Sequence, residues 1–277
     1  MSAEENYIAM NRAAWDIKTA IHVESAFYDM PGFMAGQSSL KAIELGLLGN
    51  VKGKSILHLQ CHFGQDSISL ARMGAHVTGV DFSHKAIAQA RAINQTLNTE
   101  VRFIECAIYD LPQHLNESFD MVFTSYGTIG WLPDLDQWAK VVSTFLKPGG
   151  KFIMVDFHPV VWMFDNDFKF VQYPYFKAEP IIETETGTYA DKQSTEQHTT
   201  ISWNHSLAEL LTALMQQDLS IQQFHEYDYS PYPCFNEIVE DESGKFRITH
   251  LGNKIPMTYA LVATRGDFSA SLPAIKV

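Results

Sequence analysis

Residues 54–67, KSILHLQCHFGQDS, followed by residues 75–81, AHVTGVD, decide how this chain folds. KSILHL is a short apolar run that ends in the polar loop Gln60–Asp66. The next stretch, SISLARMG, reads as a short helix closed by Gly74, a common residue just past a helix end. AHVTGVD is a second strand ending in Asp81. After this strand, Ser83 can cap a helix in which Ala86, Ala90, Ile93 and Leu97 recur at spacings of 4, 3 and 4. VRFIEC (101–106) and SFDMVFTSYG (118–127) read as the third and fourth strands. Asp134 can cap a helix whose Leu135, Trp138, Val142 and Phe145 recur at 3, 4 and 3, and the turn KPGG then leads into KFIMVDF (151–157). Strands alternating with helices, the strands nearly continuous in apolar residues, mean a parallel sheet covered on both faces.

The flanks are less regular. Before the core, 6–20 and 38–48 read as helices. After it, residues 158–200 hold an aromatic stretch and then a Thr/Glu-rich one, expected to form an insertion with a hairpin turning near Ala190–Gln193. Ser206 with Glu209 is a capping-box pattern opening a helix, a strand is expected near Ser220–Tyr227, and MTYALVAT (257–264) is the last strand. The expected organisation is a helical extension over 1–50 and one α/β domain over 51–277, with its insertion at about 158–205.

With 46% hydrophobic and 19% charged residues the balance is that of an ordinary globular protein. The charge sum, 20 − 32 = −12, gives the chain no global attraction for nucleic acid or an anionic membrane. Three widely spaced cysteines, Cys61, Cys106 and Cys234, suit neither a disulfide framework nor a zinc site, and no metal is expected. The start MSAEENYIAM lacks the pattern of a secretory signal, and no apolar run reaches 18 residues, so a cytoplasmic location is the expectation.

In doubly wound sheets a ligand sits beyond the carboxyl ends of the strands, where the strand order reverses. The backbone N–H groups of loop 60–66 and the helix start behind it suit an anionic group. Asp81, 17 residues after Gly64, ends the next strand, where a carboxylate can accept both hydroxyls of a ribose. Only Gly64 in this loop is a glycine, which speaks against the G-x-G-x-x-G of a dinucleotide site and against a nicotinamide oxidoreductase. A cofactor with a ribose and no phosphate demands less.

Over 51–157, with the last strand also in register, the chain resembles a class I S-adenosylmethionine-dependent methyltransferase. The resemblance rests on Ile56–Gly64 at the end of strand one, Val80-Asp81-Phe82-Ser83, Phe119-Asp120-Met121-Val122, and Leu146-Lys147-Pro148-Gly149-Gly150. HLQCHFGQDS is similar to a loop variant found in a bacterial branch of that family. The family implies a Rossmann-like three-layer sandwich with a mostly parallel seven-stranded sheet and an antiparallel last strand. It also implies S-adenosyl-L-methionine as cofactor. The departures are specific: the family's strand-one acid falls on His58, its first two glycines on Gln60 and His62, and its adenine-binding Asp on Ala107.

Matched to this pattern, the cofactor residues are Gln60, Cys61, His62, Gly64, Asp66, Asp81, Phe82, Ile108 and Ser125. His158, just after strand five, and Tyr126, at the end of strand four, are the candidate catalytic groups, because a hydroxyl or ammonium acceptor must lose a proton. Trp15, Tyr28, Trp131, Trp162 and Tyr173 are candidates to wall the acceptor. The expected activity is methyl transfer to a small molecule through N, O or S, with neither nucleic acid nor membrane as partner, and a homodimer is compatible with it. The alternative is a non-catalytic or regulatory protein of the same shape whose altered loop binds without turnover.

Overall fold

The computed structural model describes residues 3–266. In chain order the helices are α1 (Ala3–Glu24), α2 (Met30–Met34), α3 (Ala42–Leu48), α4 (Gln65–Arg72), α5 (His84–Thr96), α6 (Leu111–His114), α7 (Leu135–Phe145) and α8 (Leu207–Gln216). The strands are β1 (Ser55–Leu59), β2 (His76–Asp81), β3 (Arg102–Glu105), β4 (Phe119–Ser125), β5 (Leu146–Phe157), β6 (Ile181–Thr186), β7 (Gln197–Ser202), β8 (Leu219–Tyr227), β9 (Ile238–Glu242), β10 (Lys245–Ile248) and β11 (Thr258–Arg265). Seven of them form one sheet in the order β3-β2-β1-β4-β5-β11-β8, and β11 runs antiparallel to both its neighbours. The order reverses between β1 and β4, so the crevice at a switch point opens above those two strands.

Strand periodicity builds the two cores. Leu57, Leu59 and Val122 point into one layer with Trp138 and Phe145 of α7. Ile56, Met121 and Phe123 point into the other with Ile68 of α4 and Ile87 of α5. The expected caps are present: Ser83 Oγ accepts from Ala86 N (3.1 Å), Asp134 Oδ1 from Gln137 N (2.9 Å) and Ser206 Oγ from Glu209 N (3.1 Å). The box at Ser206 is only half closed, because the Glu209 carboxylate meets His205 Nδ1 at 3.0 Å.

The extension roofs the crevice. Asn11 exchanges two 2.8 Å hydrogen bonds with the backbone of Ile201 in β7. Arg12 Nε donates to Phe82 O at 3.0 Å, and Asp16 accepts from Ser83 Oγ and Lys85 N. The β6–β7 hairpin closes the roof beside α1. Two short helices and one hairpin had no counterpart in the sequence. α2 is five residues and α6 four, too short to show a period. The β9–β10 hairpin lacks an alternating apolar run: Arg247 reaches Asp228, Asp241 and Glu242, and the paired Ile238 and Ile248 pack into an apolar cluster at its open end. Among the described residues no helix is long and apolar enough to cross a membrane.

Candidate active site

The loop after β1 keeps a glycine-type backbone without the glycines. Gln60 (φ 54°), His62 (φ 49°) and Gly64 (φ 82°) all lie in the left-handed region. For Gln60 and His62 that conformation costs on the order of 1 kcal/mol each, strain of the kind stored where backbone geometry matters to a ligand. Gly64 has a separate reason: a Cβ there would stand 2.6 Å from the Phe103 ring, so its close approach is to the sheet. Gln60 Nε2 donates to Thr128 O at 2.8 Å and ties this loop to the one after β4.

Asp81 ends β2 under the loop, 8% exposed. Its Oδ2 accepts from His62 N and its Oδ1 from Ser83 N, both at 2.9 Å. Burial pushes its pKa up to about 6, against the pull of those backbone donors. Beyond β4 the chain turns through Tyr126 (φ 47°) and Gly127 (φ 71°). The buried Asp156 carboxylate at the end of β5 holds that turn, accepting from Gly127 N, from Thr128 N and Oγ1, and from Phe157 N.

Above these strand ends lies a cavity of about 750 Å³. It is lined by the expected Gln60, Cys61, His62, Gly64, Asp66, Asp81, Phe82 and Ser125, by Tyr126, and by Trp15, Tyr28, Trp131, Trp162 and Tyr173. Two expected residues are not brought to it. Ile108, expected to meet the adenine through its backbone, is absent from the lining among the described residues, and its side chain packs into the α7 core layer. His158 is buried behind β5: its Nε2 meets Glu226 Oε1 at 2.8 Å, and its Nδ1 accepts from Val160 N at 3.1 Å. With both ring nitrogens engaged away from the cavity lining, His158 is a structural histidine, because β5 ends by turning that side chain towards β8 rather than towards the crevice. Burial lowers its pKa, opposed by Glu226.

Several side chains at the site were not singled out by sequence. Tyr126 Oη donates to Glu44 Oε2 at 2.7 Å, and Glu44 Oε1 accepts from Lys41 N at 2.6 Å. Glu44 is fully buried, and desolvation, with Asp66 nearby, raises its pKa to about 7. A pKa raised on folding stabilises the native state fully only below the unfolded value near 4.5, and that contribution is lost as pH rises through about 7. Thermal melts from pH 5 to pH 8 should therefore show the wild type losing roughly 2 kcal/mol relative to Glu44→Gln. Parallel curves for the two proteins would remove Glu44 as a group protonated near neutrality.

His22 and His62 share a 2.9 Å Nδ1···Nε2 hydrogen bond. Burial holds both far below the usual imidazole range, at about 2 and about 3, so the pair is neutral. Trp15 packs edge-on against His62 and Trp131. Trp15 Nε1, His62 Nδ1 and Gln60 Oε1 are buried and have no hydrogen-bond partner among the described residues. Lys18, one turn after Trp15, also lines the cavity, as do Glu183 and Glu185 of β6. The only signals for these charges in the sequence were a 3-residue step from Trp15 and an alternation along β6; neither says which faces meet.

Comparison with known proteins bears on this geometry. An uncharacterized methyltransferase of Synechocystis is 35% identical over 133 residues, 47% of this chain and 60% of that one. A ubiquinone biosynthesis O-methyltransferase of Aeromonas salmonicida is 26% identical over 133 residues, 47% of this chain and 56% of that one. The chain thus spans less than two thirds of the length of these curated relatives. Among solved structures, an S-adenosylmethionine-dependent methyltransferase from Mesorhizobium loti superposes with a TM-score of 0.56 at 20% identity, over 84% of this chain and all of that one. The DhpI complex with SAH superposes with a TM-score of 0.56 at 17% identity, over 95% and 98% of the two chains. These structures share the fold of a seven-stranded sheet, and residues 50–220 match the methyltransferase domain family across more than half the chain: the protein belongs to that family.

Proposed function

We propose that the protein is an S-adenosyl-L-methionine-dependent methyltransferase acting on a small molecule through an N, O or S nucleophile. The observation that carries the reading is the site at the β1/β4 switch point, where a strained left-handed loop and a buried carboxylate share one cavity. The residues fit the cofactor. Asp81 can accept ribose hydroxyls, and Phe82 can pack on the adenine. Unpartnered buried polar atoms on Trp15, His62 and Gln60 are costly unless a polar ligand meets them. When bound, the cofactor supplies an electrophilic sulfonium methyl.

The protein's own part is alignment and exclusion of water under the α1 and β6–β7 roof, which can account for several kcal/mol of a displacement barrier. Relatives named for O-methylation make hydroxyl compounds the first acceptors to screen. Such an acceptor must lose a proton. Tyr126 is on the cavity lining, and its Oη can take it while passing its own proton to Glu44, whose pKa near 7 suits that exchange.

The test is calorimetry with S-adenosylmethionine and S-adenosylhomocysteine, followed by a labelled-methyl screen against small-molecule extracts. Silence at millimolar cofactor in folded protein would overturn the reading. With a hydroxyl acceptor in hand, Tyr126→Phe should lower kcat at least tenfold, whereas His158→Ala should stay within a factor of two across pH 6–8. The reverse pattern would return the base to His158.

A further inference from the structure

The end of the cavity roofed by α1 and the β6–β7 hairpin carries charges that the loop after β1 does not use. Lys18 lies there, 6% exposed. Its Nζ is 5.3 Å from the ring centres of both Trp15 and Trp131. Among the described residues this ammonium has no hydrogen-bond acceptor and no carboxylate in contact; the fields of Glu185 and Glu183 reach it without touching. Both glutamates sit on the inward face of β6, while Ile182 and Thr184 between and beside them face solvent. Glu183 is already met by Tyr173 Oη at 2.7 Å. Glu185 accepts no hydrogen bond among the described residues, and its cross-strand neighbour His198 is buried with both ring nitrogens unpartnered.

A buried ammonium and a carboxylate that line one cavity, with neither neutralising the other by contact, are costly unless a ligand completes both. A ligand that is only an anion would meet Glu185 as a like charge, and one that is only a cation would meet Lys18. A group with both charges a few ångströms apart satisfies the two together, and the indoles of Trp15 and Trp131 shield it from water. We propose that this end of the cavity binds an α-amino-acid group, its carboxylate on Lys18 and its ammonium turned towards Glu185. The proposal rests on the methyl-transfer reading above, in which either the methionine end of the donor or an amino-acid acceptor can bring that group.

Calorimetry on the full chain separates the possibilities. The probes are S-adenosylhomocysteine and 5′-methylthioadenosine, which keeps the nucleoside and lacks the amino-acid end. If the donor supplies the group, Lys18→Met weakens S-adenosylhomocysteine at least tenfold and leaves methylthioadenosine within twofold. Glu185→Gln then gives a smaller loss in the same direction, and Lys18→Arg, keeping the charge, stays within about threefold. If an acceptor supplies it, both nucleosides bind Lys18→Met normally. In that case one of the twenty common α-amino acids, titrated singly into the S-adenosylhomocysteine-loaded wild type, binds, and binds at least tenfold more weakly to loaded Lys18→Met. The proposal is overturned if neither pattern appears, or if Lys18→Met weakens both nucleosides equally, which makes Lys18 part of the nucleoside frame. A wild type that binds neither nucleoside overturns the methyl-transfer reading and this inference with it.

Discussion

Asp81→Ala is expected to weaken S-adenosylhomocysteine binding about 10- to 100-fold, roughly 1–3 kcal/mol, the usual cost of removing a buried hydrogen-bonding group from a ligand. A carboxylate offers about four acceptor positions. Two at Asp81 are taken by the backbone N–H groups of His62 and Ser83. The others remain for a ribose diol. Alanine removes the ribose acceptors and also releases the loop at His62, whereas Asp81→Asn keeps the shape and removes the charge, so the two variants separate loop support from ribose contact. The pH dependence has a defined sign. Because burial lifts the Asp81 pKa to about 6, the ionised acceptor is lost as pH falls through that value, and wild-type affinity should decline below it. Stability moves the other way: a raised folded pKa stabilises below the unfolded value near 3.8, and that contribution disappears as pH rises through about 6. Isothermal titration at pH 5, 6 and 7 reads the binding. A folded Asp81→Ala protein with wild-type affinity would mean the ribose is held by other groups.

The sheet could be read from sequence because its signals are local and repeated. Each parallel strand is a short apolar run, three of the helices open on Ser83, Asp134 and Ser206, and those caps form as expected. The floor of the site followed, since strand ends fix where Asp81, Ser125 and the 60–66 loop must lie. The roof did not follow. Trp15, Tyr28 and Tyr173 lie on the cavity, but the sequence could not show that Lys18 lies between two indoles or faces β6, because that depends on how an N-terminal helix docks on a hairpin some 160 residues later. His158 shows the same limit from the other side. Its position after β5 is right for a base, yet the packing of β8 and β11 turns it to Glu226. Gln60 and His62 show a third kind of limit: the sequence lacks the glycines, but surrounding contacts impose the glycine backbone.

Asp156 is the residue on which the largest loss of stability is expected. In the sequence it is one residue of an apolar strand, and nothing local says that its carboxylate reaches under the next loop. Its two oxygens gather four donors: the backbone N–H groups of Gly127, Thr128 and Phe157, and the Thr128 hydroxyl. Alanine leaves all four without that acceptor at a site 2% exposed. Each buried orphan costs about 1–3 kcal/mol, and relaxation of the turn recovers part, so a net loss of about 3 kcal/mol is expected. For a chain of this size that corresponds to a drop in Tm of roughly 6–12 °C. The damage should also reach the cofactor end. Thr128 O holds Gln60 Nε2, Gly127 O holds Trp131 Nε1 at 2.6 Å, and Gly130 O accepts from Trp203 N at 2.8 Å. A turn freed from Asp156 therefore loosens the loop after β1, the Trp131 wall and the hairpin together. Asp156→Asn, which keeps one acceptor oxygen but aims an NH2 at donors, should fall between wild type and alanine in both Tm and S-adenosylhomocysteine affinity. If Asp156→Ala melts within 2 °C of wild type and binds equally well, the turn is held by its backbone alone and the carboxylate is a bystander. If it melts early but binds normally at low temperature, Asp156 supports the fold without setting the site, because the turn must then reach the same left-handed geometry once ligand is present.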